Sequence, residues 1–101
     1  MAELLAEIAF EGQVIHWRGP APFFFVAIPD ELVGEVRWAA SRASYGWGCV
    51  PVSGAVRGVP FTTSLFPKEG GYLVPLKAAV RKVANVALGE RVPLTLRISE
   101  G

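Results

Sequence analysis

The sequence holds one cysteine, one histidine and one methionine in 101 residues. A lone thiol, Cys49, excludes an internal disulfide and any cysteine-based zinc site. It suits a reducing, cytoplasmic setting. A lone imidazole, His16, leaves no pair of histidines at ligand spacing, and the acids show no such spacing either. No run approaches the ~18 uninterrupted apolar residues of a membrane-spanning helix. The opening residues MAELLAEIAFEG lack the basic start and apolar stretch of a signal peptide. No GxGxxG or Walker-type glycine loop is present to cradle phosphates. No cofactor and no metal are therefore expected, and no membrane association.

Charge of one sign is also scarce. The net charge is +1, so no strong field draws the chain to nucleic acid. The distribution is uneven: residues 1–50 carry six acids and three bases, residues 51–101 three acids and seven bases. That pattern fits two differently charged faces. What the chain has in quantity is apolar residues, 51% against 19% charged, which is the balance of a compact folded domain. A chain of 10.9 kDa makes one domain, with a core over about residues 6–98. Such a domain buries roughly 65% of its unfolded surface and needs no staples.

Residues 6–17, AEIAFEGQVIHW, alternate. Ile8, Phe10, Val14 and His16 fall on one face, Glu7, Glu11 and Gln13 on the other, as in a half-buried strand. The run Phe23 to Ile28 is apolar on both faces and too short for a helix, so it is a strand covered on both sides. After Pro29-Asp30, Leu32, Val33, Val36, Ala39, Ala40 and Ala43 recur at helical spacing. Residues 49–57 and 59–66 are two strands joined by a tight turn at Arg57-Gly58. Pro51 and Pro60 cannot donate to a ladder and belong where an edge is free. PKEGG, residues 67–71, predicts a second hairpin leading into Tyr72 to Leu76.

A second helix follows. Its apolar positions, Leu76, Ala79, Val80, Val83 and Ala87, are expected to face the core, with Lys77, Arg81 and Lys82 opposite. Gly89 either ends this helix or forms the next turn. Val92, Leu94, Leu96 and Ile98 then give a last strand with one buried face. The count is six strands and two helices, a mostly-β small barrel. FVAIPDELVGEVRWAA and YLVPLKAAVRKVANV share one grammar of apolar strand, proline and amphipathic helix. Two copies of that pattern would build a pseudo-symmetric barrel with a helix at each end; shared grammar without duplication explains the likeness as well.

The inventory for catalysis is thin, because a nucleophile, a base and an orienting group are not suggested by any spacing. Binding is better supplied. Ser53 is expected opposite Thr62, and Thr62 shares a face with Ser64. With Arg57 nearby, those hydroxyls would suit a small polar or anionic ligand, though an ordinary solvent face has the same composition. Trp38 lies opposite the apolar face of the first helix, with Arg42 one turn on and placed to stack on it. Trp47, between Gly46 and Gly48, would wall a pocket or cover the barrel end. Lys77, Arg81 and Lys82 are a solvated face or a contact for phosphate or carboxylate. No aromatic residue is interleaved with them, so they are a weak nucleic-acid signal.

The ordered motifs resemble a bacterial family, domain-of-unknown-function family 1905. The resemblance is carried by Val52, Gly54, Val56, Gly58, Pro60 and Phe61 as a V-x-G-x-V-x-G-x-P-F hairpin. It continues with Ser64, Leu65 and Pro67, then Leu76, Arg81 and Lys82, then Gly89, Glu90 and Val92. No single element carries it; the order does. It implies a small double-split β-barrel with two helices and brings no catalytic residue with it. Val86 to Glu90 departs from the family pattern, which leaves the helix stop open. A looser similarity, over Val74 to Val92, is to AbrB-type swapped-hairpin regulators, which bind DNA as intertwined dimers. Two functional expectations follow: a non-enzymatic module for a small ligand or a protein partner, or an AbrB-like DNA-binding dimer.

Overall fold

Alternating side chains and glycine turns dominate the sequence, and the structure is correspondingly a curled antiparallel sheet with two helices. The computed structural model describes residues 3–17, 23–43 and 50–99, with the backbone alone for Trp17. In chain order the elements are β1 (Leu4–Gln13), β2 (Ile15–Trp17), β3 (Phe23–Ala27), α1 (Asp30–Ala43), β4 (Val50–Val56), β5 (Val59–Lys68), β6 (Gly71–Leu76), α2 (Ala78–Ala84) and β7 (Arg91–Ser99). The sheet order is β1-β7-β4-β5-β6-β3-β2. The two end strands are thus consecutive in the chain, separated by Val14 alone, and the sheet curls into a barrel-like shell.

Seven strands replace the six expected because the first one breaks at Val14. Its N–H donates to the Glu90 carbonyl at 2.9 Å and its carbonyl accepts from Gly89 N–H at 2.8 Å. These bonds turn the chain from β7, which pairs with β1, to β3, which pairs with β2. Strand β5 makes the same passage unbroken: Val59 to Leu65 pair with β4, and Phe66 to Lys68 pair with β6. The other pairs close the scheme, β3 with β6 and β4 with β7. The chain therefore runs through one plan twice, β1/β2–β3–α1–β4 and then β5–β6–α2–β7. The two stretches that share one grammar in the sequence fall at corresponding places in these two halves.

The first hairpin turns at Arg57-Gly58 as expected, and the second, within PKEGG, turns at Glu69-Gly70. Arg57 and Gly58, then Glu69 and Gly70, all have positive φ, as turns matching the twist of the strands require. Pro51 and Pro60 lie where one edge of their strand has no partner among the described residues. The core fills from alternate positions. Val92, Leu94, Leu96 and Ile98 of β7 are buried, and α1 adds Val33, Val36, Ala39, Ala40 and Ala43, as its spacing predicts. Phe25 and Val26, on opposite faces of β3, are both buried, so this strand is covered on both sides.

The second helix departs from expectation. It spans seven residues and ends at Asn85, which takes the left-handed conformation at φ 56° and passes the chain into Val86. Gly89, at φ 83°, forms the following turn rather than the helix end. Only Ala84 of the helix is fully buried, with Val80 half-buried beside it. Val83 is 71% exposed, and Ala79 and Ala87 are exposed too. The apolar stripe was placed one face away because Arg81 behaves as a packing residue. Its guanidinium lies 3.7 Å from the centre of the Phe24 ring, and its Nε donates to the Leu76 carbonyl at 3.1 Å. A long basic side chain covering an aromatic ring turns the helix so that Val80 and Ala84 face the barrel. No helix among the described residues is long and apolar enough to cross a membrane.

Candidate functional site

The hairpin register puts Thr62 opposite Ser53, as the two-residue turn requires. The neighbouring ladder puts Arg97 opposite Ser53 and Thr95 opposite Ala55. One further strand out, Glu7 stands opposite Arg97. Thr62, Ser53, Arg97 and Glu7 therefore form one row across four strands, about 14 Å long at ordinary strand spacing. A groove of about 620 Å³ runs on this outer face of the sheet, lined by Ser53, Gly54, Ala55, Pro60, Phe61, Thr62, Thr95 and Arg97. Small side chains, Ser53, Gly54 and Ala55, leave room for it on β4. Gly54 is obligatory for another reason: a Cβ at that position would collide with the Thr95 carbonyl oxygen of β7.

The cation of this groove is Arg97, not Arg57. Arg97 Nε donates to Glu7 Oε2 at 2.5 Å, an exposed pair worth little to stability but sufficient to orient the guanidinium. Its two terminal amino groups have no partner among the described residues, nor have the hydroxyls of Ser53, Thr62 and Thr95. Ser64 shares the exposed face of β5 with Thr62 but does not line the groove. Ser53 and Thr62 are legible through the two-residue turn. Thr95 and Arg97 were missed because their place beside Ser53 depends on the β4–β7 pairing, across about forty residues of chain.

Arg57 instead ties the first hairpin to the loop after α2. Its Nη2 pairs with Glu90 Oε2 at 2.5 Å and its Nη1 donates to the Asn85 carbonyl at 2.6 Å. The Arg57 guanidinium holds the Glu90 carboxyl below its ordinary pKa, first through this hydrogen bond and then with help from the Ala87 N–H, which donates to Glu90 Oε1 at 3.1 Å. Gln13 adds a bond to the Gly89 carbonyl at 3.2 Å. This cluster fixes the turn that makes Val14 bend.

The remaining sequence candidates are scattered. Trp38 is 50% exposed on the outer face of α1, with the Arg42 guanidinium 4.7 Å from its ring centre, the stacking that their spacing predicts. Trp47 and Cys49 lie outside the described residues. Lys77 and Lys82 are exposed, while Arg81 is turned onto Phe24. His16 packs against the other aromatic neighbour available to it, again Phe24, at 4.8 Å between ring centres. Among the described residues no three His, Cys, Asp or Glu side chains converge to hold a metal ion.

A comparison with curated proteins finds no match. Against models of protein families, residues 10–96 match the one described as "Domain of unknown function (DUF1905)". That span takes in β2 to β6, both helices, the end of β1, the larger part of β7 and the Arg57–Glu90 cluster, and the chain belongs to this family.

Proposed function

We propose that the protein is a non-enzymatic binding module whose groove on β5, β4 and β7 takes a small polar, anionic ligand. One observation carries this: three hydroxyls and the two terminal amino groups of a guanidinium oriented by Glu7, all without partners among the described residues, line a single groove of about 620 Å³. Hydroxyls that both donate and accept, beside a planar cation, match phosphate or carboxylate oxygens. A volume in this range suits a small metabolite. Arg57 acts only as the support of the neighbouring loop. Thermal-shift measurements against a panel of phosphorylated and carboxylated metabolites test the reading. A ligand at about 100 times its Kd adds about 2.7 kcal/mol, or ~10 °C and more in Tm for a domain of this size. Arg97→Ala should abolish the shift and Thr62→Val should weaken it. No shift with any member of the panel, or shifts untouched by Arg97→Ala, would end the proposal.

A second reading is a dimer that meets DNA through α2. Exposed Lys77 and Lys82 on one short helix favour it, since exposed cations of this kind can meet phosphates. Arg81 joins only by leaving Phe24. Sedimentation and gel shift with random duplex at low salt decide: a monomer that retards nothing removes this reading. A cytoplasmic setting suits a chain with one thiol; fractionation of cells expressing a tagged copy tests it, with export counting against it.

A further inference from the structure

Two clefts flank the β3–β6 pair. The smaller, about 290 Å³, is lined by Phe23, Phe24, Phe66, Pro75, Leu76 and Lys77. The larger, about 610 Å³, opens between the first half of α1 and the β5–β6 turn, with Phe25, Ile28, Val33 and Leu73 as its apolar lining. Their difference in size has a local cause. Five residues after Leu76 comes Arg81, which lies across the Phe24 wall of the smaller cleft. The α1 residues that line the larger cleft include Val33 and Gly34. Neither Val33 nor Gly34 carries a long side chain that could cover the larger cleft's wall as Arg81 covers Phe24.

Gly34 is the second observation. It sits inside α1 with helical backbone, and a Cβ built on it would meet nothing within 4 Å. Glycine weakens a helix interior relative to alanine. Neither packing nor backbone conformation calls for it here. What it supplies is bare backbone on the wall of the larger cleft. Arg37, one turn along, lines the same cleft, and its Nη2 donates to the Gly70 carbonyl at 2.7 Å. That bond fixes the guanidinium. Asp30 and Glu69 also line the cleft, yet Arg37 pairs with neither, so its remaining N–H groups have no partner among the described residues.

We propose that this cleft is a second binding site, for a small molecule with a ring-sized apolar body and one carboxylate. The ring lies on Phe25 and Leu73 against the bare backbone at Gly34. The carboxylate meets the fork of Arg37, whose geometry matches two oxygens and whose orientation is set before binding. The volume fits such a ligand.

The test is a titration of 15N-labelled full chain with indole-3-acetate, with indole and tryptamine as controls. Saturable shifts are expected at the amides of Gly34, Gly70, Gly71 and Tyr72. Arg37→Gln should weaken indole-3-acetate about tenfold or more, the effect of losing hydrogen bonds to a charged group, and leave indole unchanged. Gly34→Leu should remove binding of both. Gly34→Ala, which has room for its methyl, keeps the fold intact if the leucine does not, and should weaken both. Arg97→Ala should change nothing, which separates this site from the groove on β4, β5 and β7. Tighter binding of tryptamine than of indole-3-acetate overturns the assignment. Shifts absent from the cleft, or indifferent to the Gly34 and Arg37 variants, overturn it as well, whatever happens at Thr62 and Thr95.

Discussion

Gly54→Ala should cost the domain much of its stability, because no neighbour of the new methyl is free to move. The methyl would collide with the Thr95 carbonyl oxygen and stand 3.0 Å from Leu96 Cδ2. Thr95 sits in β7, paired to Ala9 on one side and Ala55 on the other, so its carbonyl can retreat only by breaking a ladder. Overpacking of this kind costs about 1–3 kcal/mol, sometimes more. Replacing a strand glycine recovers at most about 1 kcal/mol in unfolded-chain entropy. Because the clash is with backbone, the upper half of that cost applies, and the net loss of about 1–2 kcal/mol corresponds to a fall of about 4–16 °C in Tm. Gly34→Ala is the internal control. With open space around it and helical backbone, it should gain roughly 0.5–1 kcal/mol, or about 2–8 °C. Urea denaturation followed by tryptophan fluorescence reads both, with m unchanged if only the native state is affected. A Gly54→Ala protein as stable as the parent, or a Gly34→Ala protein less stable, would refute the close approach of β4 to β7 and the open helix wall respectively.

Other substitutions follow from the same packing. Leu96→Ala empties a fully buried position of β7 and should cost about 2–5 kcal/mol, measured as a lower urea midpoint; a cost below that range means the barrel interior is collapsed or wet. Val83→Ser should stay within about 0.5 kcal/mol of the parent, because the side chain is 71% exposed; a large loss in thermal melting would restore the core-facing stripe expected from the sequence. Glu90 has a depressed pKa, so its pairing with Arg57 stabilises the fold above the ordinary glutamate range and the contribution is lost as pH falls through the folded-state value. The Tm difference between the parent and Glu90→Gln should therefore shrink on acidification, and a difference that grows would contradict the clamp.

Most of the architecture was legible because it rests on period-two and period-three-to-four patterns. The β7 face, the α1 face and both hairpin turns required only local spacing and the φ demands of Gly58 and Gly70. The break at Val14 was not legible. Its cause is a pair of backbone bonds to Gly89 and Glu90, far away in the chain and carried by no side chain. The orientation of α2 failed for a related reason. Three bases opposite an apolar stripe describe a solvated face, unless one of them finds an aromatic ring, and Phe24 comes from more than fifty residues upstream. The candidate site divides in the same way. Ser53 and Thr62 follow from a two-residue turn, whereas exchanging Arg57 for Arg97 requires knowing which strand lies on the far side of β4. Arg57 looked available because it stands in a turn; Glu90 and the Asn85 carbonyl claim it.

The central claim, that the hydroxyl-and-arginine groove is a ligand site, is tested most directly by a 1H–15N titration of the full chain with the anion that raises Tm most. The account predicts saturable shifts confined to the amides of Ser53, Ala55, Thr62, Thr95 and Arg97, with the Arg97→Ala chain folded and silent. Shifts centred on Arg57 and Glu90, or on the exposed face of Lys77 and Lys82, would contradict it.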